Sequence, residues 1–201
     1  MNQSILKRAA EKKLVAFEVK NIRDYSKDRH NKTDDRPYGG GPGMVMTAEP
    51  ILNAFGKLKL KKGGKVKAIQ LSPSGKMFTN AIAKKMAKQY SDIVFICGRY
   101  EGVDDRVRKI LKADEYSVGD YTVTGGELPA LIMTDAIARQ IPGVLGKGES
   151  VEETRIASPR VYTRPETLVY KGKKHKVPTV LLNGDHKKID EWRKKQKNKG
   201  I

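Results

Sequence analysis

Short apolar runs alternate along the chain with segments in which apolar residues recur every three or four positions. Runs typical of strands occupy residues 13–19, 66–71 and 92–97. Helical spacing recurs in four segments, at residues 49–58, 79–90, 104–112 and 127–139. Alternation of strands with helices predicts an α/β fold with a mostly parallel sheet flanked by helices.

The strand patterns end in loops rich in glycine and proline. The run at 66–71 leads into Ser72-Pro73-Ser74-Gly75, and the run at 92–97 leads into Gly98-Arg99-Tyr100-Glu101-Gly102. A third strand-like stretch, from Val118, breaks on Gly125-Gly126 before a helix. Glycine lets backbone approach a ligand closely and exposes its N–H and C=O groups. The three loops therefore predict one small-molecule site built mainly from main chain.

The composition indicates one compact domain with a basic appendage. The chain has 201 residues, of which 38% are hydrophobic, so it can bury a core. Its 41 Lys and Arg against 23 Asp and Glu give a net charge of +18, which favours polyanions, with nucleic acid as the first candidate. An anionic membrane is the rival, but no apolar run approaches about 20 residues. We expect a cytoplasmic protein without membrane attachment.

Cysteine and histidine offer little chemistry. Cys97 is the single cysteine, so no intrachain disulfide can form, and its place at the end of an apolar run predicts a buried small hydrophobe. The three histidines have no zinc-ligand spacing, so we expect no metal site.

A glycine cluster at residues 39–43 resembles a nucleotide-binding loop but lacks its spacing. Neither the phosphate-binding pattern G-x-x-x-x-G-K-[ST] nor a dinucleotide-binding G-x-G-x-x-G between strand and helix occurs. Taken alone, the segment predicts a tight loop with positive φ angles, beside a structural ion pair within Asp34-Asp35-Arg36.

The polar, irregular residues 147–160 predict a linker. We assign residues 1–160 to an α/β domain that includes this linker, and 161–201 to a basic tail and shortened helical domain. Residues 171–201 carry eleven Lys and Arg against three acids, with a helix start at Asp185.

Several long motifs, taken together, resemble one enzyme family. They are D-D-R-P-Y-G-G-G-P-G-M at 34–44, L-S-P-S-G at 71–75, C-G-R-Y-E-G-V-D-D-R-V at 97–107, G-D-Y-T-V-T-G-G-E-L-P-A at 119–130, I-P-G-V-L-G at 141–146, Y-T-R-P at 162–165 and V-P-T-V-L-L-N-G-D-H at 177–186. In this order they resemble the bacterial tRNA (guanine-N1)-methyltransferases of the SPOUT superfamily. The resemblance covers nearly the whole chain.

The resemblance implies a SPOUT-like α/β domain with a deep C-terminal trefoil knot, which works as a homodimer. It implies S-adenosylmethionine as cofactor, and it leaves a requirement for magnesium open. Carried over by motif, the cofactor-binding residues are Leu71, Ser72, Pro73, Gly98, Tyr100, Glu101, Val118, Gly119, Asp120, Tyr121, Thr122, Val123, Gly125 and Gly126.

The implied partner is tRNA, and the implied target is the guanosine immediately 3′ of the anticodon. The implied substrate-binding residues are Asp35, Arg36, Tyr38, Gly40 and Gly41. Guanine N1 carries a proton at neutral pH, so methylation needs a base to remove it and a positive group to stabilise charge on O6. Arg139 matches the family's catalytic arginine.

The chain departs from the family pattern at the base. The linker aspartate of the family is replaced by Thr154, which cannot act as a base near neutral pH. We therefore expect Glu153, one residue earlier and one methylene longer, to take that role. The alternative is that Glu152 and Glu153 are solvated linker acids.

Both ends also differ from the pattern. The strand that usually precedes the segment at Ser4 is missing, and the chain stops at Ile201 within the small helical domain that grips tRNA. The lysines at 187–199 would offset this through phosphate contacts. Two other functions stay open: a related knotted methyltransferase with another RNA target, and a non-catalytic basic RNA-binding protein of the same fold.

Overall fold

A computed structural model describes residues 4–145 and 160–197. The chain divides into two compact units, Met1–Gly146 and Lys147–Ile201, which are described separately. The first unit contains, in chain order, α1 (Ser4–Glu11), a 3-10 turn (Ile22–Tyr25), β1 (Asp34–Asp35), β2 (Val45–Met46), α2 (Ala48–Phe55), β3 (Val66–Met77), α3 (Asn80–Gln89), β4 (Asp92–Ile96), α4 (Asp105–Leu111), β5 (Asp114–Ser117) and α5 (Glu127–Ala138).

A three-stranded parallel sheet forms the centre of this unit, with the order β4-β3-β5. Helices cover both faces because successive residues of a strand point to opposite sides. Ala68 faces a core that includes Val107 of α4 and Ile51 of α2. Its neighbour Ile69 faces a second core with Met133 of α5. The predicted α/β class, with a parallel sheet flanked by helices, is confirmed.

Local signals set the starts of α3 and α4 where they were predicted. Asp104 caps α4, accepting a hydrogen bond from the Arg106 backbone N–H at 2.9 Å. Lys112 ends the same helix in the left-handed conformation. Thr79 caps α3, and its hydroxyl accepts from the Ile82 N–H at 3.4 Å.

Two strand predictions are wrong. Residues 13–19 form no strand, since no segment within residues 4–145 or 160–197 pairs with them and Val19 is exposed. The strand expected from Val118 lies earlier, as β5, and residues 118–126 are an irregular loop. Strand β5 was not predicted because it begins with two acidic residues and so shows no apolar run. Asp114 forms a salt bridge with Lys67, and Glu115 accepts a hydrogen bond from Gln70, both on the adjacent strand.

Strand β3 extends beyond its predicted end at Leu71. Leu71 and Lys76 both pair with Tyr116 of β5, so the four residues between them bulge out of the ladder. The predicted loop at 72–75 is therefore an interruption inside a longer strand. Gly75 is required there, because a Cβ on it would lie 2.6 Å from the Tyr116 backbone nitrogen.

The second unit contains an antiparallel hairpin, β6 (Thr167–Tyr170) and β7 (Lys173–Lys176), a 3-10 turn (Thr179–Leu181) and α6 (His186–Lys197). The helix starts where predicted, since Asp185 accepts from the Lys188 N–H at 3.1 Å. Tyr162 packs against Trp192 with ring centroids 6.3 Å apart. The hairpin was not predicted. Across residues 4–145 and 160–197, no helix combines the length and the apolar character needed to cross a membrane.

Candidate active site

The three predicted cofactor loops meet at one edge of the sheet. Because the strands are parallel, their carboxyl ends share an edge, where α/β proteins commonly bind ligands. The bulge at 72–75, the loop after β4 that begins at Cys97 and the loop at 118–126 all lie there. The structure thus brings together the segments that the sequence assigned to one site.

Gly126 joins the second loop to the third. Its backbone N–H donates to the Gly98 carbonyl oxygen at 2.9 Å. A Cβ on Gly126 would lie 2.7 Å from Cys97 Cα and 2.9 Å from the Gly98 nitrogen. Its φ of −72° is open to any residue, so only the close approach demands glycine. Gly126 therefore holds the loops together, and the space its Cβ would occupy is filled by the protein's own backbone.

Gly119 lies beneath an aromatic ring. A Cβ on it would overlap the ring of Tyr121. The Ser117 hydroxyl donates to the Gly119 carbonyl oxygen at 2.8 Å, which fixes the start of the loop after β5. The side chain that covers Gly119 is thus that of another predicted cofactor residue.

The rest of this loop has backbone N–H groups without a partner among the residues that the structure describes. No backbone N–H from Asp120 to Gly125 donates a hydrogen bond to any other residue that the structure describes. Backbone N–H groups are obligatory donors, so these six require water or a ligand. The loop therefore suits a ligand held by main-chain contacts.

Tyr100 adopts a φ of 58° and exposes most of its ring. Left-handed backbone is uncommon for a tyrosine, and such conformations cluster at functional sites. Its neighbour Arg99 forms a salt bridge with Glu127 at 2.9 Å, which ties the second loop to the first turn of α5. Sequence reasoning gave no role to Arg99 or Glu127. The only signal was opposite charges just beyond the ends of two strand-like runs.

The predicted substrate loop lies beside the second cofactor loop. Strands β1 and β2 flank residues 36–44, and Met46 bridges to Val103. The Glu101 side chain lies against Gly43, where a Cβ would be 2.7 Å from the Glu101 carboxylate. Within the loop, Tyr38 is fully exposed.

The remaining predicted substrate residues are also on the surface. Asp35 accepts a hydrogen bond from the Arg36 backbone N–H at 2.8 Å, and both side chains are exposed. Gly40 and Gly41 have φ angles of 80° and 120°, as the tight-loop prediction required. The loop is thus accessible to a large substrate.

Of the two predicted catalytic residues, the structure describes Arg139 but not Glu153. Arg139 ends α5, whose first turn lies at the loops. Thirteen residues separate Gly126 from Arg139, or about 20 Å at 1.5 Å per helical residue. Glu153 lies outside the described residues. The same holds for the predicted linker at 147–160, except for its last residue, Arg160.

Cys97 is inert at neutral pH. Burial, with a smaller contribution from the Glu127 carboxylate, raises the pKa of its thiol from 9.0 to about 11. The thiol stays protonated at neutral pH, but Cys97 is half-buried, so the prediction of a buried residue is met only in part. In the described part of the chain, no group of three or more His, Cys, Asp or Glu side chains could hold a metal ion.

Comparison with known proteins identifies the family. A model of the family described as tRNA (Guanine-1)-methyltransferase TrmD matches residues 1–200. The chain belongs to this methyltransferase family. The resemblance drawn from the motifs is confirmed, and the protein is a methyltransferase.

Similar proteins come from several bacteria and bear the name tRNA (guanine-N(1)-)-methyltransferase. The chain is 46% identical over 200 residues to that of Desulforamulus reducens, covering 97% of this chain and 77% of the relative. Identity is 49% over 199 residues with the Caldicellulosiruptor saccharolyticus protein, covering 97% and 78%. It is 47% over 201 residues with that of Staphylococcus carnosus, covering 98% and 79%.

Proposed function

We propose that the protein transfers a methyl group from S-adenosylmethionine to N1 of the guanosine immediately 3′ of the tRNA anticodon. One observation carries the proposal: three main-chain loops converge at one edge of the sheet in a chain that matches the tRNA (guanine-1)-methyltransferase family over residues 1–200. In this proposal, the protein methylates tRNA in the cytoplasm.

The loop after β5 fits the proposed cofactor. S-adenosylmethionine, when bound, supplies an electrophilic methyl group on its sulfonium. Its adenine and ribose offer several donors and acceptors, which suit the six consecutive backbone amides from Asp120 to Gly125. The half-exposed rings of Tyr100 and Tyr121 would cover the apolar face of the base. The knot implied by the resemblance belongs to this proposal as the frame that holds these loops.

The substrate guanosine would approach from the loop at residues 36–44. Contact between Gly43 and Glu101 supports this direction, because it sets the substrate loop against a cofactor loop. Main-chain positioning of this kind lowers the barrier to methyl transfer by aligning the reacting atoms.

Two residues would remove the N1 proton of the guanine and stabilise the negative charge that develops on its O6. Glu153 would take the N1 proton as the methyl group arrives, and the Arg139 guanidinium would stabilise negative charge on O6.

A homodimer would bring Arg139 to the cofactor. Within one chain, α5 separates the arginine from the loops by about 20 Å, more than its side chain can span. The same helix exposes Leu128, Leu131 and Ile132, while its other face is buried. An exposed apolar helix face supports pairing with a second copy, in which each site takes its arginine from the partner chain.

The direct test is methylation of unmodified tRNA that carries guanosine 3′ of the anticodon, with the product nucleoside identified by mass spectrometry. We expect 1-methylguanosine at that position. Methyl on another nucleotide would indicate a different RNA target. Binding of S-adenosylmethionine without turnover would indicate a non-catalytic RNA-binding protein.

The base is tested by Glu153→Gln, with Glu152→Gln as the matched control. Loss of a general base should slow single-turnover methylation by roughly 100-fold or more while cofactor binding persists. Raising the pH should partly restore the methylation rate of Glu153→Gln, because guanine N1 then ionises unaided. It should not restore the rate of Arg139→Ala. Equal rates for both glutamine variants would remove Glu153 from the mechanism.

Shared sites are tested in mixed dimers. A chain with Arg139→Ala and a chain with Gly119→Val should each be inactive alone. A mixture should regain activity if one intact site forms per mixed dimer. Verified mixed dimers without activity would argue for sites within single chains.

A further inference from the structure

The hairpin of the second unit is an exposed, basic two-stranded ribbon. Strands β6 and β7 join through Lys171-Gly172, whose φ angles of 48° and 74° are those of a two-residue hairpin turn. Four of the six residues from Lys171 to Lys176 are lysine. Every residue of the ribbon except Thr167 is exposed.

The charge of this ribbon is not neutralised by ion pairs within the part of the chain that the structure describes. None of its lysines forms a salt bridge with a described residue, whereas α6 pairs Lys188 with Asp185 at 3.1 Å and Arg193 with Asp190 at 3.2 Å. No acidic residue occurs between Thr167 and Lys176. The ribbon therefore offers a concentrated positive charge for an anionic partner.

Apolar side chains lie among these charges. Leu168, Val169 and Tyr170 are 56%, 61% and 61% exposed. Tyr170 pairs across the ribbon with Lys173, so the two side chains share a face. An isolated two-stranded hairpin is marginally stable in water, and this one has both faces exposed. A partner that covers an aromatic and a basic residue together would stabilise it.

The arrangement of side chains favours RNA over a lipid surface. Leu168 and Val169 point to opposite faces because successive strand residues alternate. The ribbon therefore has no single apolar face to insert into a bilayer. Lys174 and Lys176 share the face opposite Tyr170 and Lys173 and lie about 7 Å apart along the strand, so each can reach a separate phosphate of an RNA that contacts the ribbon on both faces.

We propose that the β6-β7 ribbon binds the phosphodiester backbone of the tRNA substrate, with Tyr170 stacked on an unpaired base. This inference rests on the proposed function for the choice of RNA. Lysines contribute phosphate contacts that position the RNA, and the aromatic ring adds sequence-tolerant stacking.

The test compares two triple variants with the same change in charge. One is Lys173→Gln, Lys174→Gln, Lys176→Gln in the ribbon. The other is Lys84→Gln, Lys85→Gln, Lys88→Gln on the exposed face of α3. For each, tRNA binding is measured as a function of salt, and methylation as a function of tRNA concentration.

The ribbon variant should bind tRNA at least about 10-fold more weakly at 0.1 M salt, and the slope of log K against log salt should fall by about 2. Its KM for tRNA should rise while kcat and S-adenosylmethionine affinity stay at the parent's values, which also shows that the protein is folded. The α3 variant should change each quantity far less. Equal effects of the two variants would overturn the proposal.

Tyr170 provides a second, charge-neutral test. Tyr170→Ala should weaken tRNA binding by about 5-fold or more, and Tyr170→Phe should bind like the parent. Ribbon variants that lose binding to phosphatidylserine vesicles but keep tRNA affinity would assign the ribbon to a lipid surface instead. Measuring tRNA binding directly separates the ribbon proposal from the proposed function. If the unmodified protein binds tRNA through the ribbon but makes no 1-methylguanosine, only the proposed function is contradicted.

Discussion

Gly126→Ala should destabilise the candidate active site, because Gly126 lies where α5 meets the end of β4. A Cβ at this position would lie 2.7 Å from Cys97 Cα and 2.9 Å from the Gly98 nitrogen. Both atoms belong to backbone, so neither can move aside as a flexible side chain would. The two segments must separate.

The size of the effect follows from two contributions. Overpacking by one methyl group costs about 1–3 kcal/mol in a well-packed interior. Separation would also strain the hydrogen bond from the Gly126 N–H to the Gly98 carbonyl oxygen, worth about 1 kcal/mol. We expect a loss of about 2–4 kcal/mol in the free energy of unfolding, or roughly 5–15 °C in Tm.

Gly56→Ala is the matched control. Gly56 has a φ of −63° and Gly126 a φ of −72°, so alanine fits both backbones. The nearest atoms to a Cβ on Gly56 are backbone oxygens at 3.6 Å, an ordinary contact. This variant should match the parent or be more stable by about 0.4–1 kcal/mol, since alanine restricts the unfolded chain.

Thermal and urea unfolding followed by circular dichroism would measure both variants, and calorimetry in chelator would measure S-adenosylmethionine affinity. Gly126→Ala should lose both stability and affinity, because the separated loops no longer converge. If its unfolding midpoint equals that of Gly56→Ala, the close approach of α5 to β4 does not exist, and the site geometry described above is wrong.

Three further predictions concern titration, capping and assembly. Burial raises the pKa of Cys97 in the folded protein from 9.0 to about 11. The stability that the protonated thiol contributes is therefore complete below pH 9 and is lost as pH rises to about 11. In pH-dependent urea unfolding, the parent should lose about 2 kcal/mol more of its free energy of unfolding than Cys97→Ala over this range. Asp104→Ala removes a helix cap and should cost about 1 kcal/mol, more than the exposed Asp105→Ala. Arg106 lowers the Asp104 pKa below 3.8, so the difference should vanish as pH falls through that lowered value. Leu131→Asp should yield monomers in sedimentation experiments, and an unchanged dimer would exclude this face of α5.

Local pattern determined helices α2 to α5 and the loops of the candidate site. The caps at Thr79 and Asp104 and the apolar period of α3, α4 and α5 depend on residues a few positions apart, so they could be recognised without a structure. The glycine-rich loops were recognisable because their motifs are continuous in sequence. The family followed from the same motifs.

Tertiary structure decided what depends on distant neighbours. Strand β5 is acidic and was missed, because its pairing relies on Lys67 and Gln70, more than 40 residues away. The roles of Gly75 and Gly126 follow from backbone that approaches them from another strand. Helix α5 likewise carries Arg139 away from the loops, although the two are close in sequence. A sequence pattern reports local conformation, whereas an approach between segments is set by how the sheet and helices pack.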